Sequence, residues 1–251
     1  MTVETVVAAL SIPPQARVDQ RVAKKLLVEN GAATPTDKRW INDGIEELTW
    51  VAALKPNTIG VASYSDSVRE YLEIAVLTMH LRPEAKTGRL VELVHRAIPY
   101  PVLLISSGAD NLNLSAAHKR HAQNEAELVV LDDDVTSVAL PSNSVAAASA
   151  HLLTFSLNLQ PKTNLYSLYQ GWLECIEAMS AFQITGRTSA AKDPAAAAAR
   201  REALAEHTRL TRVIAGLKAQ AQRESQIPRR VELNLEIKRL EATLLALFEQ
   251  L

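Results

Sequence analysis

Residues 71–105 read YLEIAVLTMHLRPEAKTGRLVELVHRAIPYPVLLI, and this stretch decides the fold class of the chain. Its two ends, residues 71–81 and residues 101–105, have the aliphatic and β-branched composition of buried strands. Between them, four apolar residues fall on one face of a helix: Leu90, Val91, Val94 and Ala97. Pro99 ends that helix. A strand, a helix and a second strand in this order predict a right-handed crossover between parallel neighbours.

The sequence on both sides of this crossover unit adds shorter strands. Residues 50–54, 112–116 and 127–131 are apolar runs bounded by polar or turn-forming residues. The linkers after residue 105 are short, so the strands at 101–105, 112–116 and 127–131 are expected to be antiparallel neighbours. We therefore predict an α+β fold with a small mixed sheet of about five strands and helices packed on it.

The composition divides the chain into four segments. A mixed α/β domain with an N-terminal helical arm is predicted for residues 1–140, and a helical region packed on it for residues 141–185. Residues 186–194 are predicted to be a linker whose last two residues, Asp and Pro, are of the types that begin a helix. Residues 195–251 are predicted to form an antiparallel coiled-coil hairpin.

The C-terminal segment has the most regular apolar pattern in the chain. The seam of its second helix follows spacings of four and three residues: Leu233, Ile237, Leu240, Leu244 and Leu247. The first helix has smaller or polar residues at facing positions, such as Ala203 and His207, and an exposed apolar seam usually has a partner. These five residues are therefore candidates for binding a larger protein or a second copy in a homodimer. The alternative is a pair of helices that cover only each other.

The charges of the chain nearly balance. It carries 27 Lys and Arg residues against 28 Asp and Glu residues, so no global basic field draws it to nucleic acid. Eight residues are candidates for a local anion or nucleic-acid site: Arg82, Lys86, Arg89, His95, Arg96, His118, Lys119 and Arg120. They form a pocket if the N-terminus of the predicted helix meets the end of the strand at 112–116. The alternative is the solvated face of an amphipathic helix.

Several function classes lack their motif in this sequence. Eight glycines spread over 251 residues include neither a phosphate-binding loop nor a dinucleotide fingerprint, and there is no hydrolase nucleophile elbow. His118 and His121 have no third ligand beside them, so neither a metal nor another cofactor is predicted. Cys175 is the only cysteine, and no apolar run reaches the ~20 residues of a membrane span. These features predict a soluble cytoplasmic protein.

A restriction-type nuclease needs an acidic residue on one strand and a Glu-x-Lys on the next, to hold Mg²⁺ and position water. The near match, Glu84-Ala85-Lys86, follows Pro83 and opens a helix instead. No catalytic residue is therefore assigned. A divergent metal-dependent nuclease is kept as an alternative, with four carboxylates that would converge only in the fold: Glu46, Glu47, Asp66 and Glu73.

Three stretches of the chain carry a family resemblance. Residues 95–104 read HRAIPYPVLL, residues 114–120 read LSAAHKR, and residues 164–172 read NLYSLYQGW. Together with parts of residues 17–48, they are similar to a family of bacterial proteins classed as a domain of unknown function. The resemblance spans nearly the whole chain but has no assigned chemistry, so it implies no catalytic residue. It implies that the protein is encoded beside helicases and DNA methyltransferases in bacterial defence loci, as other members of the family are.

We therefore expect a non-catalytic accessory or adaptor subunit of a bacterial DNA-processing or anti-phage defence complex. Its partner would be a helicase or a DNA methyltransferase, and the apolar seam of the C-terminal segment offers a surface for that partner. The nuclease is the first alternative, and a self-associating scaffold is the second.

Overall fold

The structure is a computed structural model that describes residues 1–108, 112–122, 129–132, 134–140, 146–187, 193–248 and 250–251. The chain forms two compact units, Met1–Ile176 and Glu177–Leu251. The helices in the described ranges are α1 (Val3–Ala9), α2 (Lys24–Asn30), α3 (Pro35–Gly44), α4 (Pro56–Ile59), α5 (Thr87–Ala97), α6 (Ala146–Leu153), α7 (Leu165–Thr185), α8 (Pro194–Arg223) and α9 (Ile227–Leu247). Short 3-10 turns occupy Pro14–Ala16 and Leu157–Leu159.

The strands in the described ranges are β1 (Arg17–Arg21), β2 (Ile45–Leu54), β3 (Tyr64–Ser65), β4 (Glu70–Tyr71), β5 (Ile74–Leu81), β6 (Val102–Ser107), β7 (Leu112–Ala116), β8 (Lys119–His121), β9 (Val129–Leu131) and β10 (Thr136–Leu140). Six of them form one sheet in the order β1-β2-β5-β6-β7-β10. Strands β5 and β6 are parallel, and the other neighbours are antiparallel. The mixed α+β architecture is thus confirmed, with edge strands β1 and β10 bringing the sheet to six.

The crossover unit forms the centre of the first unit. Strands β5 and β6 pair in register from Ala75 opposite Val102 to His80 opposite Ser107. Helix α5 joins them and buries Leu90, Leu93 and other apolar side chains in the same core as β5 and β6. The parallel pair expected from the sequence is therefore confirmed. Tyr71, however, pairs with Tyr64 in the separate β3–β4 hairpin, so β5 begins only at Ile74.

The strand expected at residues 127–131 does not pair with β7. Its described part, β9, pairs with β8 in a separate two-stranded ribbon, and β10 takes the place beside β7. The chain leaves the sheet at Ala117 and His118, because side chains of α7 bond to it there. The Tyr169 hydroxyl accepts from Ala117 N at 2.9 Å, and the Gln170 amide bonds to the His118 ring at 2.7 Å.

The helical region after the sheet contributes to the core of the first unit. Helix α7 has an apolar stripe that is completely buried at Leu165, Leu168 and Trp172. The Trp172 indole N–H donates to the carbonyl of Phe155 at 2.8 Å. The sequence also predicts Ser142 or Ser144 as the cap of α6, but both residues lie outside the described ranges.

The second unit contains the two predicted C-terminal helices. Asp193 caps α8 by accepting from Ala196 N at 2.8 Å, as its residue type predicts. Helices α8 and α9 pack through a cluster that includes Ile214 and Ile237, and Lys218 pairs with Glu241 at 2.7 Å. The presence of both helices is confirmed, and the coiled-coil geometry stays a prediction.

Two glycines, Gly171 in α7 and Gly216 in α8, provide a matched test of how closely each helix is packed. A Cβ on Gly171 of α7 would lie 2.6 Å from Gln160 Oε1 and 2.7 Å from Pro161 Cδ, whereas a Cβ on Gly216 of α8 meets nothing within 4 Å. We expect Gly171→Ala to lower the free energy of unfolding by about 1–3 kcal/mol, through overpacking. Gly216→Ala should raise the free energy of unfolding of its helix by about 0.5–1 kcal/mol. Denaturant titration of both variants measures the difference, and equal effects would contradict the tight contact at Gly171.

Candidate functional site

The cations predicted to form an anion pocket are not brought together as that pocket requires. Lys119, at the start of β8, reaches the C-terminal end of α5, where its ammonium donates to the carbonyl of His95 at 2.6 Å and to that of Ile98. The N-terminus of the 11-residue helix lies about 16 Å away at ~1.5 Å per residue. The Lys119 amino group supplies hydrogen-bond donors to the last carbonyls of the helix, which have no partner within it.

Most of the other candidate cations already have partners in the fold. Arg89 donates to Asp37 at 2.9 Å and to Glu92 at 2.8 Å, and its guanidinium holds the pKa of Asp37 below the usual range. Arg96 pairs with Glu92 at 2.6 Å. His95 is fully buried beside Ser115, and burial lowers its pKa to about 3, so it is neutral.

Two candidates on the other side of the first unit remain exposed. Arg82 donates to the backbone carbonyls of Asn42 and Asp43, both at 3.2 Å, at the C-terminus of α3. Lys86 is the exposed residue before the first turn of α5. Neither lies with Lys119 at the far end of that helix.

The three stretches that carry the family resemblance instead converge around His118. The Tyr169 hydroxyl donates to the carbonyl of Val102 at 2.7 Å and accepts from Ala117 N at 2.9 Å. Lys119 adds its bonds to the end of α5. Two buried side chains, Lys119 and Tyr169, thus join the end of α5, the start of β8 and one face of α7.

His118 is bonded through both ring nitrogens. Its Nδ1 lies 2.5 Å from the Tyr71 hydroxyl, and its Nε2 lies 2.7 Å from Gln170 Oε1. The Gln170 amide nitrogen donates to Glu174 at 3.0 Å, which fixes the amide oxygen toward His118. The His118 Nε2 therefore carries a hydrogen and donates to Gln170. Burial raises the pKa of Tyr71 far above its usual range, so this hydroxyl keeps its proton.

An aromatic stack covers this network. The Tyr166 ring stacks on His118 and on Tyr64, with centroid distances of 5.0 Å for both, and the Arg69 guanidinium lies 5.6 Å from the Tyr166 centroid. Asp132 pairs with Arg69 and also with Arg120, the latter at 3.2 Å. We call this set the His118 surface: Tyr64, Arg69, His118, Arg120, Asp132, Tyr166 and Gln170.

The His118 surface contains residue types that are suited to protein recognition. Its half-buried tyrosines and arginines are residue types that dominate protein-binding hot spots. The imidazole is engaged on both sides by Tyr71 and Gln170. In the described part of the chain, no group of three or more His, Cys, Asp or Glu residues is placed to hold a metal ion.

The carboxylates of the nuclease alternative are dispersed. Glu46 and Glu47 lie at the start of β2, whereas Glu73 pairs at 2.9 Å with Lys55, just beyond the end of β2. The eight-residue separation along the strand corresponds to about 25 Å. Asp66 accepts from the Tyr64 hydroxyl at 2.6 Å in the β3–β4 hairpin. The four acids therefore do not form one metal centre.

The predicted partner-binding residues of α9 lie against α8. Leu233 and Ile237 are buried in the cluster between the two helices, Leu240 and Leu244 pack on the same cluster, and Leu247 is half-buried. These side chains cover the other helix, as the alternative interpretation of the seam expects. Charged residues at Leu240 and Leu244 would therefore damage the helix pair itself.

Sequence reasoning missed most of the His118 surface. The apolar stripe of α7 was a sufficient signal for Leu168 and Trp172, but Tyr166 and Gln170 fall off that stripe. Their polar or aromatic character on the other face of the same helix was the available signal. Nothing local to Tyr64 and Arg69 links them to a residue about 50–100 positions later, because that link is made by tertiary contacts.

Lys119 should make stability depend on pH. Burial lowers the pKa of its ammonium to about 7 from an unfolded value of 10.5. Between these values the unfolded chain binds more protons, so the contribution of Lys119 to the free energy of unfolding rises with pH, by up to a few kcal/mol. Denaturant titrations of wild type and Lys119→Met from pH 7 to pH 10 should show a growing difference in favour of wild type. A constant difference would contradict the lowered pKa.

In the described ranges, no helix is both long enough and apolar enough to cross a membrane. No curated protein and no solved structure matches the chain. Residues 10–244 do match a family model, that of the domain of unknown function DUF4391. The match covers most of the sequence, including the sheet, the His118 surface and nearly all of both C-terminal helices. The chain therefore belongs to the DUF4391 family.

Proposed function

We propose that the protein is a non-catalytic adaptor subunit of a bacterial DNA-processing or anti-phage defence complex, and that the His118 surface binds its protein partner. The observation that carries this proposal is the stack of Tyr64, Tyr166 and His118 with Arg69 beside it. Tyrosine and arginine supply large contact areas with few rotatable bonds, which is why they are enriched where binding energy concentrates.

Hydrogen bonds and ion pairs within the chain hold the side chains of this surface in place. Tyr71 and Gln170 orient the His118 ring, and Asp132 orients the side chains of Arg69 and Arg120. A preorganised surface loses less side-chain entropy on association than a mobile one. This rigidity supports protein recognition.

The charges of the surface favour a protein partner over nucleic acid. Arg69 and Arg120 are offset by Asp132, and Asp66 accepts from the neighbouring Tyr64. Nucleic-acid affinity depends on cations that neutralise phosphates, and the paired arginines offer little such charge. The resemblance to proteins encoded beside helicases and DNA methyltransferases suggests which class of partner to test.

The positions of four carboxylates argue against the nuclease alternative. They are dispersed in the fold: Glu46, Glu47, Asp66 and Glu73. A metal-dependent nuclease needs two carboxylates around one ion. The purified chain is expected to leave plasmid DNA intact in Mg²⁺ or Mn²⁺. Cleavage that Glu73→Gln abolishes would replace the adaptor proposal with the nuclease.

Substitution of the outermost tyrosine tests the proposed surface. Tyr64→Ala removes a half-exposed ring from the stack and should lower the affinity for the partner at least about tenfold, as expected for a hot-spot residue. The partner is first captured from the native host with the wild-type chain, under nuclease treatment, and identified by mass spectrometry. Its affinity for both chains is then measured by calorimetry.

Tyr100 provides the matched control for this substitution. It is 36% exposed, lies outside the His118 surface and makes an edge contact with Trp50 at 6.3 Å. Tyr100→Ala should leave the affinity within about twofold of wild type. Equal affinities of the Tyr64→Ala and wild-type chains for a helicase or methyltransferase would show that the partner binds elsewhere. Failure to capture either class under conditions where the chain is folded would overturn the adaptor role itself.

A further inference from the structure

Helix α9 has a second apolar face in addition to the one packed on α8. Four of its large apolar side chains are exposed: Ile227 at 66%, Val231 at 51%, Leu235 at 53% and Leu245 at 72%. At about 100° per residue, these four residues lie within an arc of about 80°. The seam packed on α8 is centred about 160° away from them. We call the exposed arc the outer face of α9.

The outer face is a continuous row along the helix. Ala242 and Lys238, both exposed, fall in the same arc and fill the gap between Leu235 and Leu245. The row extends from Ile227 to Leu245, 18 positions apart along the helix, or about 27 Å. A row of exposed apolar side chains on a helix that already buries its opposite face is typical of a helix with a partner on each side.

The charges that flank the outer face are arranged symmetrically. Arg230 and Glu241 lie on one flank, and Glu232 and Arg239 lie on the other. On each flank, the basic and acidic residues are equally far from a midpoint between residues 235 and 236. When a helix pairs antiparallel with an identical helix, each flank faces the same flank of the other copy. Every basic residue in this set then faces an acidic one.

We propose that the outer face of α9 binds the outer face of α9 in a second copy of this chain, in an antiparallel pair. Ile227 then packs opposite Leu245 of the second copy, and Val231 packs opposite Ala242 of the second copy. Arg230 meets Glu241 of the second copy, and Glu232 meets Arg239 of the second copy. Each of these contacts occurs twice because of the two-fold symmetry.

Lys238 favours the antiparallel arrangement over a parallel one. A parallel pair in register would place the two Lys238 ammonium groups against each other, in the middle of the row. The antiparallel pair places Lys238 opposite Leu235 of the second copy, where its aliphatic stem covers the leucine and its ammonium stays in water. The flanking ion pairs and Lys238 thus specify the same orientation.

The present partners of these charges do not prevent this pairing. Glu232 pairs with Arg229 at 3.0 Å, Arg239 with Glu236 at 3.7 Å and Glu241 with Lys218 at 2.7 Å. All six side chains are at least 45% exposed. Such exposed pairs contribute little to stability, and a carboxylate can accept from two cations. The inference is independent of the His118 surface, since it uses residues of the second unit alone.

Sedimentation equilibrium of the full chain tests the pair, with mass followed against concentration. The wild-type chain should approach the mass of a dimer as concentration rises. Leu235→Lys should weaken self-association at least about tenfold, because it places an ammonium in the apolar row, opposite Lys238 of the second copy. Leu153→Lys, which changes a 62% exposed leucine of the first unit, should leave self-association unchanged. A wild-type chain that stays monomeric up to its solubility limit would overturn the inference.

A charge exchange separates direct pairing from a change in helix stability. Glu232→Arg alone and Arg239→Glu alone should each weaken the dimer about tenfold, because each creates two like-charge contacts across the pair. The double variant restores opposite charges between the copies and should recover most of the affinity. Within one helix it makes both i,i+3 pairs repulsive, so a local cause predicts that the double variant is the weakest of the three. That second result would overturn the antiparallel pair.

Discussion

The buried amino group of Lys119 is the constraint on which the His118 surface depends. It sits in the interior because the last carbonyls of α5 need donors, and the chain that carries it must leave the sheet to reach them. This departure places His118 beside α7 and directs β8 into a separate ribbon with β9. A residue without a hydrogen-bond donor at position 119 would leave those carbonyls unsatisfied, so the fold and the surface share one anchoring contact.

The sequence predicted the parts of the fold that periodicity controls. The strand, helix and strand over residues 71–105 appear with the expected parallel pairing, because strongly apolar periodic segments have few alternative placements. The position of β9 was wrong, because it depends on side-chain bonds from Tyr169 and Gln170 to residues about 50 positions earlier. The pocket geometry expected of the cations was not found, since cationic character alone does not reveal that Lys119 is buried.

Both apolar patterns of α9 were present in its sequence, but only one was recognised. The seam on α8 follows alternating spacings of three and four, which is the familiar signature of a helix pair. The outer face begins with Ile227, Val231 and Leu235 at a constant spacing of four, a pattern that drifts around the helix. With two apolar faces, the helix has no single polar side, so its sequence does not show which face is buried. The exposure of the side chains in the fold separates the two faces.

The single parallel pairing divides the main sheet into two antiparallel halves. Strands β1, β2 and β5 form one half, and β6, β7 and β10 form the other. During synthesis, the first half can assemble before β6 has left the ribosome, which leaves one edge of β5 unpaired. Since β5 is apolar on both faces, that edge can template intermolecular pairing. During the interval between synthesis of β5 and of β6, about 20 residues, a nascent chain therefore exposes an unpaired edge of β5.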